Sequence, residues 1–545
     1  MPEHLRAFVV ICLLMLVAYA ISRRMFAHAL ESKFVERLYG AGFGATAIMF
    51  LAHNMWVFLG GLTLLSVLVA RRLRHPVALF MFLLLLMPGF SVQVPGFGLI
   101  NYLIDLNPWR ILSLTLLLPA AVHLAGHSGI PRPGKLFADK IVIASVAYTT
   151  LLAFLHYDTL TGGMRHLVVS TLDTILIYFV ASRALLFKGA IRHFVVALVM
   201  AAIFLALVGA FEFVKHWLLY SGLTQVLNAN VGMFGYLSRG DTLRALATTG
   251  QPIVLGFVMM VALLMTWYVQ RLVKESAWRV LLWLIMGMGI VAAMSRGPWV
   301  GAAIGLTVIA LVGPNPLGNF VRLVAAGLGA VFVLLMSPGG GRIIDYLPWM
   351  GSIDSGNIDF REILWEKSIN VIARNPWIGS IDFTEAVDYN IIRTGRGFVD
   401  IVNTYLGVVL AHGLIGLGLY VAQILVGLFA SGKFALIRKA HSEAAVYGVT
   451  LFGAFSAVVV TIWTVSSIGQ IAPITRLLLG ACVAMALQRM PPPSLTKCGE
   501  SLGSSQVPRN PACAPRLSTH SSRSSPSGNS PRRVVAASPK AHIGS

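Results

Sequence analysis

Charge is scarce in this chain of 545 residues. Asp, Glu, Lys and Arg together make up 12% of it, about half the ~25% usual in soluble domains. With 57% apolar residues, that scarcity excludes an ordinary soluble enzyme. Acidic groups are the scarcer half, 21 Asp and Glu against 42 Lys and Arg. No D-x-D carboxylate pair occurs and no soluble domain could hold a nucleotide sugar, so neither metal nor other cofactor is expected. Cysteine is scarce too. Cys12 and Cys482 fall in apolar runs, and Cys498 and Cys513 in the C-terminal tail. None lies in a large outward loop and no pair has metal spacing, so neither disulfide nor zinc is supported. A folded basic domain outside the apolar runs is also missing, so the net charge of +21 is not a nucleic-acid signal. Lysine and arginine gather instead in short connections and in the tail, as the positive-inside bias of membrane proteins requires.

Long hydrophobic runs are what the chain has in abundance. Runs near or above the ~18–20 residues that cross a bilayer recur along most of its length. The expected fold class is all-α, a polytopic helical membrane protein with about 12–15 transmembrane helices. Arginine follows the first run, 7–21, where a signal peptide would carry a small-residue cleavage site, so this helix is retained. Arg71, Arg72 and Arg74 mark a cytoplasmic connection, from which the spans alternate. They fall near 76–92, 108–126, 141–157, 167–186, 193–220, 252–270, 279–294, 298–313 and 321–336. Three more follow at about 401–429, 445–467 and 471–488, and the segment 337–400 between them is a large external loop. The N-terminus has two readings. A single span ending at Ala70 leaves Arg23, Arg24, Lys33 and Arg37 outside, against the charge rule; a hairpin turning at His53-Asn54 does not.

Four regions follow: N-terminal helices over 1–240, a core over 241–430, C-terminal helices over 431–490, and a tail over 491–545. The tail is basic and rich in Ser and Pro without apolar periodicity, which points to a disordered cytoplasmic segment.

Three outward places carry polar groups at membrane borders. In LSRGDTLRALATTGQP, Leu237 to Pro252, Arg239 and Arg244 precede a proline-started helix. Such a helix start offers free amides and a positive dipole end to an anion. In AMSRGPWVG, Ala293 to Gly301, Ser295 is placed to cap and Arg296 is held in a short turn. The third place is the loop 337–400. Its segment Phe360 to Ser380 reads as an amphipathic helix with Phe360, Ile363, Leu364, Val371 and Ile372 on one side, stopped by Asn375-Pro376. It serves either as a lid along the membrane or as a packed helix within a folded loop. Glu385, Asp388, Arg393 and Arg396 come next, then VDIVNTYLGVVLAHGLIG, which opens with Asp400 and Asn403 and closes with Gly413 and Gly416. Arginine's planar fork suits phosphate oxygens, and apolar walls suit an isoprenoid chain. A lipid-linked diphosphate meets both demands.

From Arg244 to Gly418 the chain resembles the O-antigen ligase and O-antigen polymerase superfamily, membrane glycosyltransferases of the C-type fold class. The resemblance rests on the Arg-to-Gly-x-Pro helix start, the Ser295-Arg296-Gly297 turn and the Arg361-x-x-x-Trp365…Asn375-Pro-Trp-Ile-Gly segment. It ends on Asn403, nine residues, then Gly413-x-x-Gly416. One departure matters: ligases place histidine where Val402 stands. His412 is ~15 Å farther along a helix and is no substitute.

The resemblance implies an undecaprenyl-diphosphate-linked oligosaccharide substrate, with membrane lipids and other polysaccharide assembly and export proteins as partners. It implies a metal-independent transfer, with Arg296, Arg244 and Arg361 on the diphosphate, Arg393 and Arg396 behind them, and Asp400 or Glu385 as base. Asn403, Gly413 and Gly416 form the helix-start and packing motif. Val402 favours a polymerase of repeat units over a ligase. A flippase of the same lipid-linked sugars, or a structural partner in a secretion complex, stays open. Glu212 and Lys215, which a flippase would explain, read as an interfacial ion pair.

Overall fold

The computed structural model describes residues 2–98, 101–156, 160–229, 238–239, 242–336, 355–389, 399, 401–437 and 442–488. The first helices are α1 Glu3–Met25, α2 Ser32–Leu51, α3 Met55–Ala70 and α4 Pro76–Leu86. A hairpin of β1 Val92–Pro95 and β2 Tyr102–Leu106 follows, antiparallel with Val92 opposite Leu106. Then come α5 Pro108–Gly126, α6 Phe137–His156, α7 Leu160–Ala184, α8 Ala190–Lys215 and α9 Pro252–Val269. The chain continues through α10 Ser276–Ala292, α11 Arg296–Val312, α12 Pro316–Met336 and α13 Ser355–Arg374. It closes with α14 Thr404–Ile437, α15 Glu443–Thr461 and α16 Ile471–Leu487. Among the described residues eight helices are long and apolar enough to cross a bilayer, and α3, α4, α10, α11 and α16 are shorter apolar ones. The protein is a polytopic all-α membrane protein. Expected spans between 76 and 336 each coincide with a helix and differ only at the ends; the tail from Pro491 lies outside the described residues.

At the N-terminus the hairpin reading holds. His53 takes a left-handed turn (φ 49°), and the Asn54 side chain accepts the Trp56 N–H at 2.7 Å, capping α3. This returns Arg23, Arg24, Lys33 and Arg37 to the side of Arg71, Arg72 and Arg74, and Arg37 donates to the Arg72 carbonyl. That side is the basic face of the bundle; the opposite side, with the hairpin and the long connections, is the loop face.

Helices that are apolar all round belong in the centre, and here they are α4, α8 and α9. Every residue from Val77 to Leu86 is buried. Tyr39 ties α2 to this centre: its hydroxyl donates to the Met200 carbonyl (3.1 Å) and bonds Ser22 (2.8 Å). Beside the centre, α11 turns Gly297, Gly301 and Gly305 toward α15. A Cβ at Gly301 would overlap the Thr461 hydroxyl, and one at Gly305 would lie 3.0 Å from Ala457. Glycine at every fourth position lets two helix backbones approach, the usual device where no hydrophobic drive separates helix from lipid.

A buried ion pair fixes the basic face. Arg183 (0% exposed) meets Asp139 (3% exposed) with both ends of its fork. Tyr178 donates to the same carboxylate at 2.9 Å, and the Gly134 and Leu136 N–H groups at 3.0 and 3.3 Å. With its lone pairs met, the pair escapes the penalty of an uncompensated buried charge. Two π-helical turns, Ser113–Leu117 and Thr171–Leu176, interrupt α5 and α7. The second carries Asp173, which accepts from Arg110 at the start of α5 (2.8 Å). Such bulges have no signature in the apolar pattern and were not expected.

Candidate functional site

The turn between α15 and α16, residues 462–470, gathers most of the motifs on the loop face. Thr404 donates its backbone N–H to the Ile462 carbonyl (2.9 Å) and its hydroxyl to Val465 (2.6 Å). Ser466 donates its hydroxyl to the Ile401 carbonyl. Arg361, from α13, reaches the Thr464 carbonyl at 3.5 Å. Gly297 is pressed against the Thr464 hydroxyl, where a Cβ would overlap it, so Arg296 stands beside the same turn. On α9's side, a Cβ at Gly469 would lie 3.5 Å from Val254.

Each start of helix has a local cause. Asn403 caps α14: its side chain accepts the Leu406 N–H at 3.1 Å. Pro252 begins α9 after Gly250 (φ 73°) and the extended Gln251. Ser295 precedes α11 in an extended conformation but makes no side-chain cap bond, contrary to expectation. It is buried instead against α9, where a Cβ at Gly256 would meet Ser295 at 3.2 Å and Pro298 at 3.0 Å. Packing took the position that a cap would have used.

The loop bearing Arg244 is held from below by Glu212. This carboxylate, 0% exposed, accepts the N–H groups of Leu246 (2.9 Å), Ala247 (2.8 Å) and Leu219 (3.1 Å). The expected Glu212–Lys215 ion pair is therefore corrected. Lys215 is exposed, and three orphan backbone donors outcompete it for the buried carboxylate. A further bond, Ala245 N–H to the Ala292 carbonyl (3.1 Å), sets Arg244 beside the turn that carries Arg296.

The span expected at 401–429 is not one helix. At Gly413 the backbone takes φ 64°, ψ −171°, a region open only to glycine. In an unbroken helix Tyr405 and Tyr420 would stand ~22 Å apart along the axis; their ring centres are 6.0 Å apart. The arms 404–412 and 414–437 therefore fold toward each other, and the second arm is the span. Turn 375–380 of the loop fills the break. The Leu414 and Ile415 N–H groups donate to the Pro376 (2.8 Å) and Trp377 (3.3 Å) carbonyls, while the vacated Leu410 carbonyl takes the Ser380 N–H (2.8 Å). Gly379 (φ 68°) lies against Gly413, and a Cβ on either would overlap the other's chain. A Cβ at Gly416 would overlap that of His412 and stand 3.4 Å from the Tyr148 ring. The two glycines thus serve a helix break and its close docking to a loop turn, with α6 alongside, rather than a plain seam between two helices.

Helix α13 is packed, the second of its two expected roles. Leu364 and Val371, flanked by Phe360, Ile363 and Ile372, join Leu406, Val409, Leu410 and Tyr389 in a small core of their own. Ser368 bonds the Tyr389 hydroxyl at 2.9 Å, and Arg374 pairs with Asp388 at 2.6 Å. Burial pushes the Tyr389 hydroxyl above its ordinary pKa; the Ser368 bond lowers it and the Asp388 charge raises it.

The structure thus brings Arg296, Arg361 and Asn403 around one turn, with Arg244 beside the neighbouring turn that carries Arg296. Glu385 sits elsewhere, exposed in the turn Phe383–Glu385. Its neighbour Asp382 pairs with His156 of α6 (2.8 Å), at the Gly413 end of α14's first arm. Arg393, Arg396 and Asp400 lie outside the described residues. Sequence reasoning passed over the turn 462–470 itself, and with it Gln470 and Arg476. A polar stretch between two apolar runs, and one arginine inside the second run, were the available signals.

Residues 281–421 match the family described as O-antigen ligase. Over that segment the chain is similar to the O-antigen ligase/polymerase superfamily. No curated protein matches it. The matched segment, roughly a quarter of the chain, runs from α10 into the second arm of α14 and includes Arg296, Arg361, Asn403, Gly413 and Gly416. That family supports an O-antigen ligase/polymerase-type membrane enzyme and implies a lipid-linked glycan as substrate. The chain's convergent arginines are the groups suited to the charged end of such a lipid.

Proposed function

We propose that the protein is a polymerase joining undecaprenyl-diphosphate-linked repeat units of an exopolysaccharide or O-antigen, with the loop face on the periplasmic side of the inner membrane. One observation carries the reading: Arg361 reaches Thr464, against which Gly297 next to Arg296 is also packed, on the face opposite the Lys and Arg clusters. Arginines retained where positive charge is disfavoured, converging on one turn, call for an anion.

In the proposed transfer a hydroxyl of the incoming unit attacks the anomeric carbon of the growing chain. A glycosidic C–O bond forms, the bond from the anomeric carbon to the phosphate oxygen breaks, and its electron pair leaves on the diphosphate. Arg296, Arg244 and Arg361 stabilise that charge, with Arg393 and Arg396 as further contacts. The hydroxyl proton passes to a carboxylate. Asp400 is favoured over Glu385, because it adjoins Ile401, whose carbonyl is bound at the turn; Glu385 lies at the far end of an arm ~12 Å long. Val402 favours a polymerase over a ligase. The nearest histidine along the chain, His412, is at the far end of the same arm, where Tyr148 donates to its carbonyl (3.0 Å).

Alanine at Arg296 and, separately, at Arg361 tests this, with polymer length read on gels at matched protein levels. Loss of a positioned charge-stabilising donor costs about 10²–10³ in rate, so long polymer disappears and single lipid-linked units accumulate outside. Accumulation on the inner leaflet identifies a flippase instead, and loss of glycan from lipid A-core with polymer intact identifies a ligase. Unchanged polymer from both variants removes the site.

A further inference from the structure

Arg476 lies on α16, six residues past Gln470 at the helix start, or ~9 Å along the axis from the 462–470 turn. Its guanidinium stands 6.0 Å from the centre of the Tyr420 ring. No carboxylate pairs with it among the described residues. Its Nε is buried and unpartnered, although the residue as a whole is partly exposed. One helical turn beyond Tyr420, Gln423 is 5% exposed and its amide oxygen is also unpartnered. A cation inside a membrane span without a counter-charge costs several kcal/mol, and such residues mark ligand pathways. The ring of Tyr420 offsets part of that cost; it supplies no anion.

We propose that Arg476, with Tyr420 and Gln423, forms a subsite for the phosphate closest to the isoprenoid chain of a polyprenyl diphosphate, beneath the arginines on the loop face. The inference rests on the polymerase reading for the identity of the lipid. Its geometry is independent of that reading: Tyr405, next to the Thr404 anchored at the turn, meets the Tyr420 ring edge to face at 6.0 Å. The subsite thus hangs directly below the start of α14. A fork of donors there holds the lipid end of the diphosphate while the sugar end faces Arg296 and Arg361. Such a group makes no bond in the reaction and acts by binding.

Purified full-length protein in detergent, wild type and Arg476→Gln and Arg476→Lys, is titrated with undecaprenyl diphosphate carrying no sugar, and separately with phosphatidylglycerol. Bound lipid is counted by native mass spectrometry, on samples shown to be monodisperse with unchanged thermal midpoints. Arg476→Gln is expected to bind undecaprenyl diphosphate at least tenfold more weakly, with Arg476→Lys intermediate and phosphatidylglycerol unaffected. Binding of undecaprenyl diphosphate within twofold of wild type overturns the subsite. So does an equal loss for both lipids, which assigns Arg476 to an ordinary headgroup. Wild-type protein that binds no undecaprenyl diphosphate, while phosphatidylglycerol depends on Arg476, overturns the substrate reading together with this one. Should the Gln variant be unfolded and the Lys variant bind like wild type, a bidentate subsite is equally overturned.

Discussion

Gly413 and Trp377 meet backbone to backbone: a Cβ on Gly413 would occupy the space of the Trp377 carbonyl. Both arms of α14 and the loop turn 375–380 are organised by that contact, because the carbonyls of Pro376 and Trp377 replace those that a continuous helix would offer to Leu414 and Ile415.

Gly413→Ala is therefore expected to lower stability by at least ~2 kcal/mol, the backbone strain and the overlap adding together. Gly379→Ala acts in the same direction through the same contact. A Cβ added at Gly418, farther along the second arm, would meet nothing within 4 Å, and its replacement by Ala is neutral or stabilising by about 0.5–1 kcal/mol. Thermal midpoints of the three purified variants check this. Equal midpoints for Gly413→Ala and Gly418→Ala would show that the break does not hold the loop.

Asp139→Asn leaves Arg183 buried without its counter-charge. A loss of about 3–5 kcal/mol follows, enough to cut the yield of folded protein several-fold. Because the pair lies on the basic face, the small fraction that folds keeps polymerising activity per molecule. Specific activity falling as far as yield would instead tie the pair to the reaction.

Glu212 holds the Arg244 loop by three backbone bonds, which makes it a positioning residue. Glu212→Ala strands those donors, each at roughly 1–3 kcal/mol. Glu212→Gln keeps one oxygen acceptor and is milder. Polymer length on gels is expected to follow the order wild type, Gln, Ala, and Arg244→Ala gives a phenotype in the same direction. A Glu212→Ala variant with normal polymer refutes the positioning role.

His75, at the start of α4 and 8% exposed, has its pKa lowered to about 4 by burial, with the His193 and Arg74 charges adding. The folded chain then keeps it neutral while an unfolded chain protonates it near ~6.5. Its contribution to stability is complete above ~6.5 and is lost as pH falls toward 4. The thermal midpoint should drop across that window, and His75→Asn should flatten the drop. An unchanged slope in the variant assigns the acid sensitivity to other groups.

Hydropathy made the spans legible, since a bilayer demands length and apolarity that nothing else in the chain imitates. The N-terminal hairpin was legible from His53-Asn54, two polar residues at the middle of an apolar run. Gly413 and Gly416 were visible as a motif but not as a break, because glycines three apart suit helix packing equally well, and only the partner loop decides between the two. Glu212 misled for a related reason. Spacing offers Lys215 as a partner, while the donors that claim the carboxylate come from loops seven and about thirty-five residues ahead. Arginines 244, 296 and 361 stand out in the sequence by charge asymmetry. Arg476 was not, because one cation in an apolar run gives no sign of whether it snorkels to the surface or faces the bundle.

The borrowed carbonyls at 376–377 also make the loop turn a mechanical part of the span. A displacement of that turn by ~1 Å would stretch its bonds to Leu414 and Ile415 beyond useful length. The strain would travel down the second arm of α14 to Tyr420, the neighbour of Arg476. Loop turn and span are thereby set at two ends of one lever.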